Sequence, residues 1–453
     1  MGRGWRLLIL VILALIAFAQ TGCGGSHAGA GRRGVVLATP ASGVFDEPVH
    51  IVITHVGADR QLTVRLQSVD ATGTLFSAQA KFRSNAAGEV DLASAPASGG
   101  GFYAGVDPMG LIDSMQPASG RTALYRWNRA QPQRFDVTVN EGASRVASGG
   151  FTRRGAAPGV TVRAESIAAT GFYGQFWAPP PGTPRHAGVL EFGGSEGGLH
   201  GQLIGAALAS AGYPTLDIAY FGEPGLPETL KDIPLEYFAR ALRWLDRQPE
   251  VLNGQMYVLG GSRGSEAALL LGAHYPTLVH GVIANSPSDV SHGSYPRPGS
   301  AAWTFHGNPV PYTSAIVSPS VPADDPAAAI PVQDIRGPVF LDCGTDDQVW
   351  ASCAYALRIE SHLTAARFAY PHVLYRYQGA GHYVNLLVPY QPGEIVADLA
   401  KPIGSGDTLL ADANAHARLW PQLLAFLAHP ARQTGVVTAP STPPPLTPRS
   451  ASR

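Results

Sequence analysis

The chain has 453 residues, 45% of them hydrophobic, and a formal net charge of −1, so it is long enough for two or three domains with sizeable cores. Charged residues make up only 14%, below the roughly one quarter usual in soluble domains, and no basic surface argues for nucleic acid. With 3 cysteines, no Cys-x-x-Cys and no His/Cys cluster, the sequence calls for neither a metal nor a cofactor.

Residues 1–23 read as a targeting segment, with Arg3 and Arg6 ahead of an apolar run over 7–19 that is too short to span a bilayer comfortably. Gln20-Thr21-Gly22-Cys23 resembles a bacterial lipoprotein cleavage site, with Cys23 as the lipidated first mature residue; Gln20 stands where such sites usually carry Leu. The mature protein is therefore expected outside the cytoplasm, held on the outer side of the cytoplasmic membrane through Cys23, with plain secretion as the alternative. Residues 24–38 would follow as a flexible tether.

Residues 39–158 read as short strands. Stretches 49–53, 62–66 and 135–139 alternate polar and apolar side chains, and Ala71-Thr72-Gly73 and Ala87-Gly88 are turn signals. That spacing predicts an antiparallel β-sandwich with one face of each sheet buried. His50 and His55 have no catalytic spacing around them and read as ordinary structural or surface histidines.

From residue 159 the texture changes. Strands are predicted over 160–166, 171–178, 187–192, 215–219, 255–259, 279–284, 338–342 and 373–377. Helices are predicted over 201–211, 234–246, 265–273 and 351–365. Such alternation means an α/β fold, a mostly parallel sheet with helices on both faces, here assigned to residues 159–430. Residues 286–332 break the pattern, are rich in Pro, Ser and Gly, and are expected to form a lid or substrate wall. Cys343 and Cys353 either pair or remain free buried thiols. Residues 431–453, with Pro443-Pro444-Pro445, are expected to be a disordered tail.

The chemistry centres on Gly260-Gly261-Ser262-Arg263-Gly264, a strand, sharp turn and helix of the nucleophile-elbow kind. Gly193-Gly194-Ser195-Glu196-Gly197 matches the same pattern, but Gly197 and Gly198 delay its helix, and it lies one strand–helix–strand–helix unit upstream. That position suits an oxyanion loop. Ser262 is thus the favoured nucleophile, with Arg263 N–H as one oxyanion donor and the Gly194/Ser195 loop supplying the second. A serine hydroxyl needs a base, and His382 in Gln378-Gly379-Ala380-Gly381-His382 lies just past a predicted strand. The base needs a carboxylate; Asp347 is favoured over Asp346, which is left to cap the next helix. Arg263 is expected in a salt bridge on its own helix rather than on a substrate anion.

With those residues in place, the chain resembles the acyl-CoA thioesterase and bile acid-CoA:amino acid N-acyltransferase family. The resemblance spans about residues 39–430. It rests on Asp46-Glu47-Pro48-Val49-His50-Ile51, Asp107-Pro108-Met109-Gly110-Leu111, Phe192-Gly193 with Gly197-Gly198-Leu199, Leu235-Glu236-Tyr237-Phe238, Asp346-Asp347 with Trp350, and Gly381-His382-Tyr383. It implies an immunoglobulin-like sandwich followed by an α/β-hydrolase domain, with an acyl-enzyme on Ser262 and Asp347 and His382 as partners. Conjugating members of that family use cysteine at the nucleophile position, whereas this chain has serine. An acyl–serine ester is less electrophilic than a thioester, and a histidine can activate water against it, so hydrolysis is expected over transfer to an amine. An exported protein would not ordinarily meet acyl-CoA, which leaves the leaving group, and an ester substrate, open. A silent surface binding protein and a peptidase of the same fold are the other readings.

Overall fold

In a computed structural model, the structure describes residues 27–29, 35–101, 103–118, 125–129, 131–392, 406–440 and 442–446. The leader and Cys23 lie outside the described residues.

Two sheets form the first unit. One runs in the order Ser42–Val44, Ser144–Arg154, Gln133–Glu141, Gln61–Val69, Leu75–Arg83, Gln116–Pro117, and the other in the order His27–Gly29, Val36–Thr39, Val52–Thr54, Val90–Asp91. The predicted alternation holds: Leu62, Val64 and Leu66 are buried while Gln61, Arg65 and Val69 are exposed. These residues meet Leu37 and Ile53 from the other sheet, together with Phe135, Val137 and Phe151, in one shared core. The tether expected over 24–38 is corrected here. Val36–Thr39 pairs with Val52–Thr54, and Leu37 is fully buried, because an alternating apolar residue beside a strand edge gains more from that core than from water.

The second unit is a nine-stranded sheet. Its strands are β1 (Thr161–Glu165), β2 (Tyr173–Ala178), β3 (His186–Phe192), β4 (Thr215–Ala219), β5 (Val251–Gly261), β6 (Gly281–Asn285), β7 (Val339–Gly344), β8 (His372–Tyr377) and β9 (Gly435–Ala439). They are ordered β1-β2-β4-β3-β5-β6-β7-β8-β9, antiparallel at β1/β2 and β2/β4 and parallel beyond. Its longer helices are α1 (Gln202–Ser210), α2 (Leu235–Leu245), α3 (Arg263–His274), α4 (Ser352–Ala365) and α5 (Gly406–Ala428). In α2 the buried residues Leu235, Phe238, Leu242 and Leu245 recur at helical spacing and pack on β3 and β5 residues such as Leu190 and Val258. Helices α1 and α5 cover the other face.

Two further expectations meet the structure here. The tail expected over 431–453 is corrected at β9, which pairs with β8 from Val373↔Gly435 to Tyr377↔Ala439. Val436 and Val437 stay exposed, so β9 is held by main-chain bonds at a sheet edge, a contribution that leaves no trace of buried side chains in the sequence. Residues 286–332 are anchored rather than free. Trp303–Phe305 pairs with Ile233–Pro234, and Trp303 is fully buried. Cys343 and Cys353 form a disulfide between the end of β7 and the start of α4.

Arg153, fully buried, joins the two units by donating to the carbonyls of Tyr390 (2.8 Å) and Glu47 (2.9 Å) and also to that of Phe45. Trp420 Nε1 reaches Asp46 Oδ2 at 3.2 Å across the same junction.

Candidate active site

The parallel strands β3, β5, β6, β7 and β8 end at one edge, where their carboxyl ends present the loops. At the end of β5, Ser262 has φ +54° and ψ −123°, a region that L-residues rarely occupy. Its N–H donates to Asn285 O (3.0 Å), and its carbonyl accepts from Ser265 N (2.9 Å) and Ser265 Oγ (2.6 Å), so the strained turn is tied down on both sides. Glycine is required around it by close approach. A Cβ on Gly260 would stand 2.2 Å from Gly264 O, and one on Gly264 2.3 Å from Gly193 O.

His382 is carried on a short turn after β8. Its Nε2 lies 2.9 Å from Ser262 Oγ and its Nδ1 2.8 Å from Asp347 Oδ2. The other Asp347 oxygen accepts the N–H groups of Val349 (2.9 Å) and Trp350 (3.1 Å), which fixes the carboxylate beside the ring. His382 and Asp347 are both buried, and the Trp350 ring packs edge-on to the imidazole at 5.9 Å. Three residues drawn from separate strand ends thus meet in one chain of hydrogen bonds. Asp346 is exposed, and its carboxylate accepts from Gln348 Nε2 at 2.8 Å. It does not cap α4, whose N-cap residue is Ala351 with no side-chain cap bond.

The histidine loop is braced by groups that the sequence did not single out. Ser286 Oγ donates to His382 O at 3.0 Å. From α5, Asp412 Oδ1 accepts Gly381 N–H at 2.6 Å, and His416 Nε2 donates to Tyr383 O at 2.8 Å. Burial pushes the Asp412 carboxyl up to about 7, against the Gly381 N–H that favours the anion. Burial likewise lowers His416 to about 4, so the ring is neutral and acts as a fixed donor. The only sequence signal for these contacts would have been polar residues on the inward stripe of a helix no pattern had yet located.

Arg263 is the first residue of α3, so its N–H is one of the first-turn donors that have no partner within the helix. Its guanidinium turns inward: Nε lies 2.8 Å from Glu266 Oε1, and one terminal nitrogen donates to His292 O and Gly293 O, both at 2.9 Å. Glu266 is fully buried and also accepts from Trp303 Nε1 (2.9 Å), with His292 Nδ1 at 3.0 Å. Burial pushes this carboxyl up, but Arg263 and the bonds from His292 and Trp303 outweigh it and hold it below its ordinary value.

The Gly193–Ser195 loop packs against the nucleophile, since a Cβ on Gly194 would lie 2.9 Å from Ser262 Cβ. Of the two residues expected to supply the second donor, Gly194 is not free, however. Gly194 N–H donates to Glu196 Oε1 at 2.7 Å, a contact that spacing alone does not reveal. Ser195 is half-buried beyond it. Among the described residues no group of three or more His, Cys, Asp or Glu is placed to hold a metal ion. A cavity of about 440 Å³ lies elsewhere, on the first unit, lined by Arg65, Ser77 and Gln79.

Comparison with known proteins adds to this geometry. Residues 46–165 match the family described as acyl-CoA thioester hydrolase/BAAT N-terminal region, and residues 233–432 match BAAT/acyl-CoA thioester hydrolase C terminal. The mitochondrial acyl-coenzyme A thioesterase 2 of Mus musculus is 30% identical over 407 residues, covering 84% of this chain and 86% of its own. The peroxisomal succinyl-coenzyme A thioesterase of Mus musculus is 28% identical over 416 residues, covering 84% and 93%. Acyl-coenzyme A thioesterase 1 of Homo sapiens is 28% identical over 402 residues, covering 84% and 93%. Among solved structures, a dienelactone hydrolase-like promiscuous phosphotriesterase from metagenomic libraries aligns with 60% of this chain and 98% of its own at TM-score 0.38 and 16% identity.

Proposed function

Because the chain belongs to the acyl-CoA thioester hydrolase/BAAT family, we propose that it is a serine hydrolase cleaving acyl thioesters of the acyl-CoA type through an acyl-serine intermediate. The observation that carries this reading is the hydrogen-bonded series Asp347–His382–Ser262 at the strand ends. Ser262 Oγ attacks the thioester carbonyl carbon as His382 Nε2 takes its proton. The oxyanion develops at the start of α3, where Arg263 N–H has no partner within the helix. On collapse the C–S bond breaks, and the thiolate leaves with the proton from His382. Water, deprotonated by the same nitrogen, then attacks the ester, and Ser262 Oγ recovers the proton. Asp347 holds the ring in the tautomer with hydrogen on Nδ1, leaving Nε2 free to accept.

Serine at position 262 favours release to water, since the ester intermediate is less open to an incoming amine than a thioester would be. We read the sandwich over 39–158 as immunoglobulin-like and residues 159–430 as the catalytic unit. The Cys343–Cys353 disulfide supports the expectation, drawn from the leader, of an oxidising compartment outside the cytoplasm. In that setting the acyl donor is either acyl-CoA or another ester or thioester, and a substrate panel separates them.

The test is the mature protein assayed with acyl-CoAs of graded chain length and with p-nitrophenyl esters, beside Ser262→Ala. The variant should lose at least about 10⁴-fold in kcat. Equal turnover by the two proteins ends the proposal. A wild type that takes esters and refuses every acyl-CoA makes it a carboxylesterase.

A further inference from the structure

We propose that Glu196 is a built-in occupant of the oxyanion site, a carboxylate latch that a substrate carbonyl must displace, and that it thereby sets KM. The inference rests on the serine-hydrolase reading of Ser262.

The argument begins with the orientation of one peptide. Tyr220 OH, buried, lies 2.9 Å from Gly193 O and 2.6 Å from Gly194 O and donates to these carbonyls. Gly193 O also faces the first turn of α3, where only a hydrogen on Gly264 leaves it room. A trans peptide holds its C=O and N–H on opposite sides. With the Gly193 carbonyl turned toward Tyr220, the Gly194 N–H of the same peptide faces away from that hydroxyl. There Glu196 Oε1 accepts it at 2.7 Å. The position a Gly194 Cβ would take is 2.9 Å from Ser262 Cβ and 3.1 Å from Glu196 Oε2, so carboxylate and nucleophile flank the same glycine. An oxyanion donor works at about 2.7–3.1 Å from the developing negative oxygen. At the Gly194 N–H, Glu196 Oε1 meets that description in charge and distance.

The hold is suited to release. The Glu196 side chain is 35% exposed, and its other ionic contact, His200 Nδ1, lies 3.6 Å away on the surface, where such pairs contribute little. Glu266 makes the contrast: fully buried, gripped from α3 and from the 286–332 segment, it is placed to stay. Glu196 has only the one short bond to lose, and a thioester carbonyl entering the site takes its place.

A latch that closes only the free enzyme has a definite kinetic signature. Substrate binds the unlatched fraction, so the apparent affinity falls by that fraction. Once the acyl carbonyl fills the site the carboxylate is already out, and kcat is untouched. Glu196→Ala should therefore lower KM about fivefold with kcat unchanged, and Glu196→Gln, which keeps a weaker neutral acceptor, should fall between. The second-order rate of labelling by a fluorophosphonate, whose P=O oxygen needs the same donor, should rise in the same order. A purely structural role for Glu196 would instead lower kcat or leave both constants alone. If wild type labels and both variants label no faster, with KM unchanged, the latch is overturned while the nucleophile stands. A folded wild type that does not label at all overturns the serine-hydrolase reading, and the latch with it.

Discussion

Asp347 divides its two oxygens between structure and chemistry. Oδ1 takes the Val349 and Trp350 N–H groups, and Oδ2 faces His382. Asp347→Asn can keep the first job, because an amide oxygen accepts both N–H groups. The amide nitrogen then faces His382 Nδ1 as a donor, which forces the hydrogen onto Nε2 and leaves nothing to accept the serine proton. The expected result is a kcat loss of roughly 10³–10⁴-fold, as in other serine hydrolases of this kind, with a melting temperature within about 2 °C of wild type. A loss of both activity and stability would make Asp347 a fold residue first. The meeting of Ser262, His382 and Asp347 was legible in the sequence because the proposed reaction demands fixed residue types, and the fold demands that they follow strand ends in order. Glu196, Ser286 and Asp412 were not. Each acts through a backbone atom, Gly194 N, His382 O or Gly381 N, and any residue type has that atom.

The loop from β7 to α4 shows how an element holds its residue. Cys343 and Cys353, ten apart in sequence, close a ring that contains Asp347 and Trp350. Closing a loop of that size restricts the unfolded chain by about 3 kcal/mol on the chain-entropy estimate. Cys353→Ser, or reduction with thiol counting, should lower stability by about that amount and cut kcat as the acid loses its fixed edge. Unchanged kcat in the fully reduced protein would separate the disulfide from the site. The 286–332 segment is held differently, through Glu266. Removing that carboxylate leaves Arg263 buried without its partner, at a cost of about 3–5 kcal/mol. Glu266→Ala should therefore shift the denaturant midpoint downward and open the segment to protease; an unchanged midpoint would remove Glu266 as the anchor. Strands β2, β3, β4 and β8 could be read to within two residues because their side chains are buried in register. Strand β9 could not, because edge pairing through the main chain leaves its valines in water.

Across the whole molecule, buried ionisable groups tie stability to pH. Burial pushes Asp412 and Asp217 up to about 7. It also raises Glu191, Asp342 and Asp113 well above their ordinary values. An unfolded chain releases these protons near pH 4, whereas the native protein keeps them, so the stability they contribute is full below about 4 and is lost as pH rises toward and through 7. His416 has the reverse sign. The unfolded ring gains a proton near 6.5 and the native ring only at about 4, so its contribution is lost as pH falls between those values. Burial raises Asp107 and Asp289 as well and lowers His274 and His280, so seven acids stand against three histidines; the net slope is negative, and stability at pH 5 should exceed that at pH 8. Asp412→Asn tests the arrangement at one site. It keeps an acceptor for Gly381 N–H, removes the titration, and should raise the urea midpoint most at pH 8, by roughly a third as much at pH 5, where the loss has already begun, and little at pH 4. The size at pH 8 should be a few kcal/mol, from a shift of about three pH units at about 1.4 kcal/mol each, reduced by whatever water reaches the site. If Asp412→Asn and wild type lose stability in parallel from pH 5 to pH 8, Asp412 is ionised in the native state across that range, and the brace on the histidine loop is a charged one.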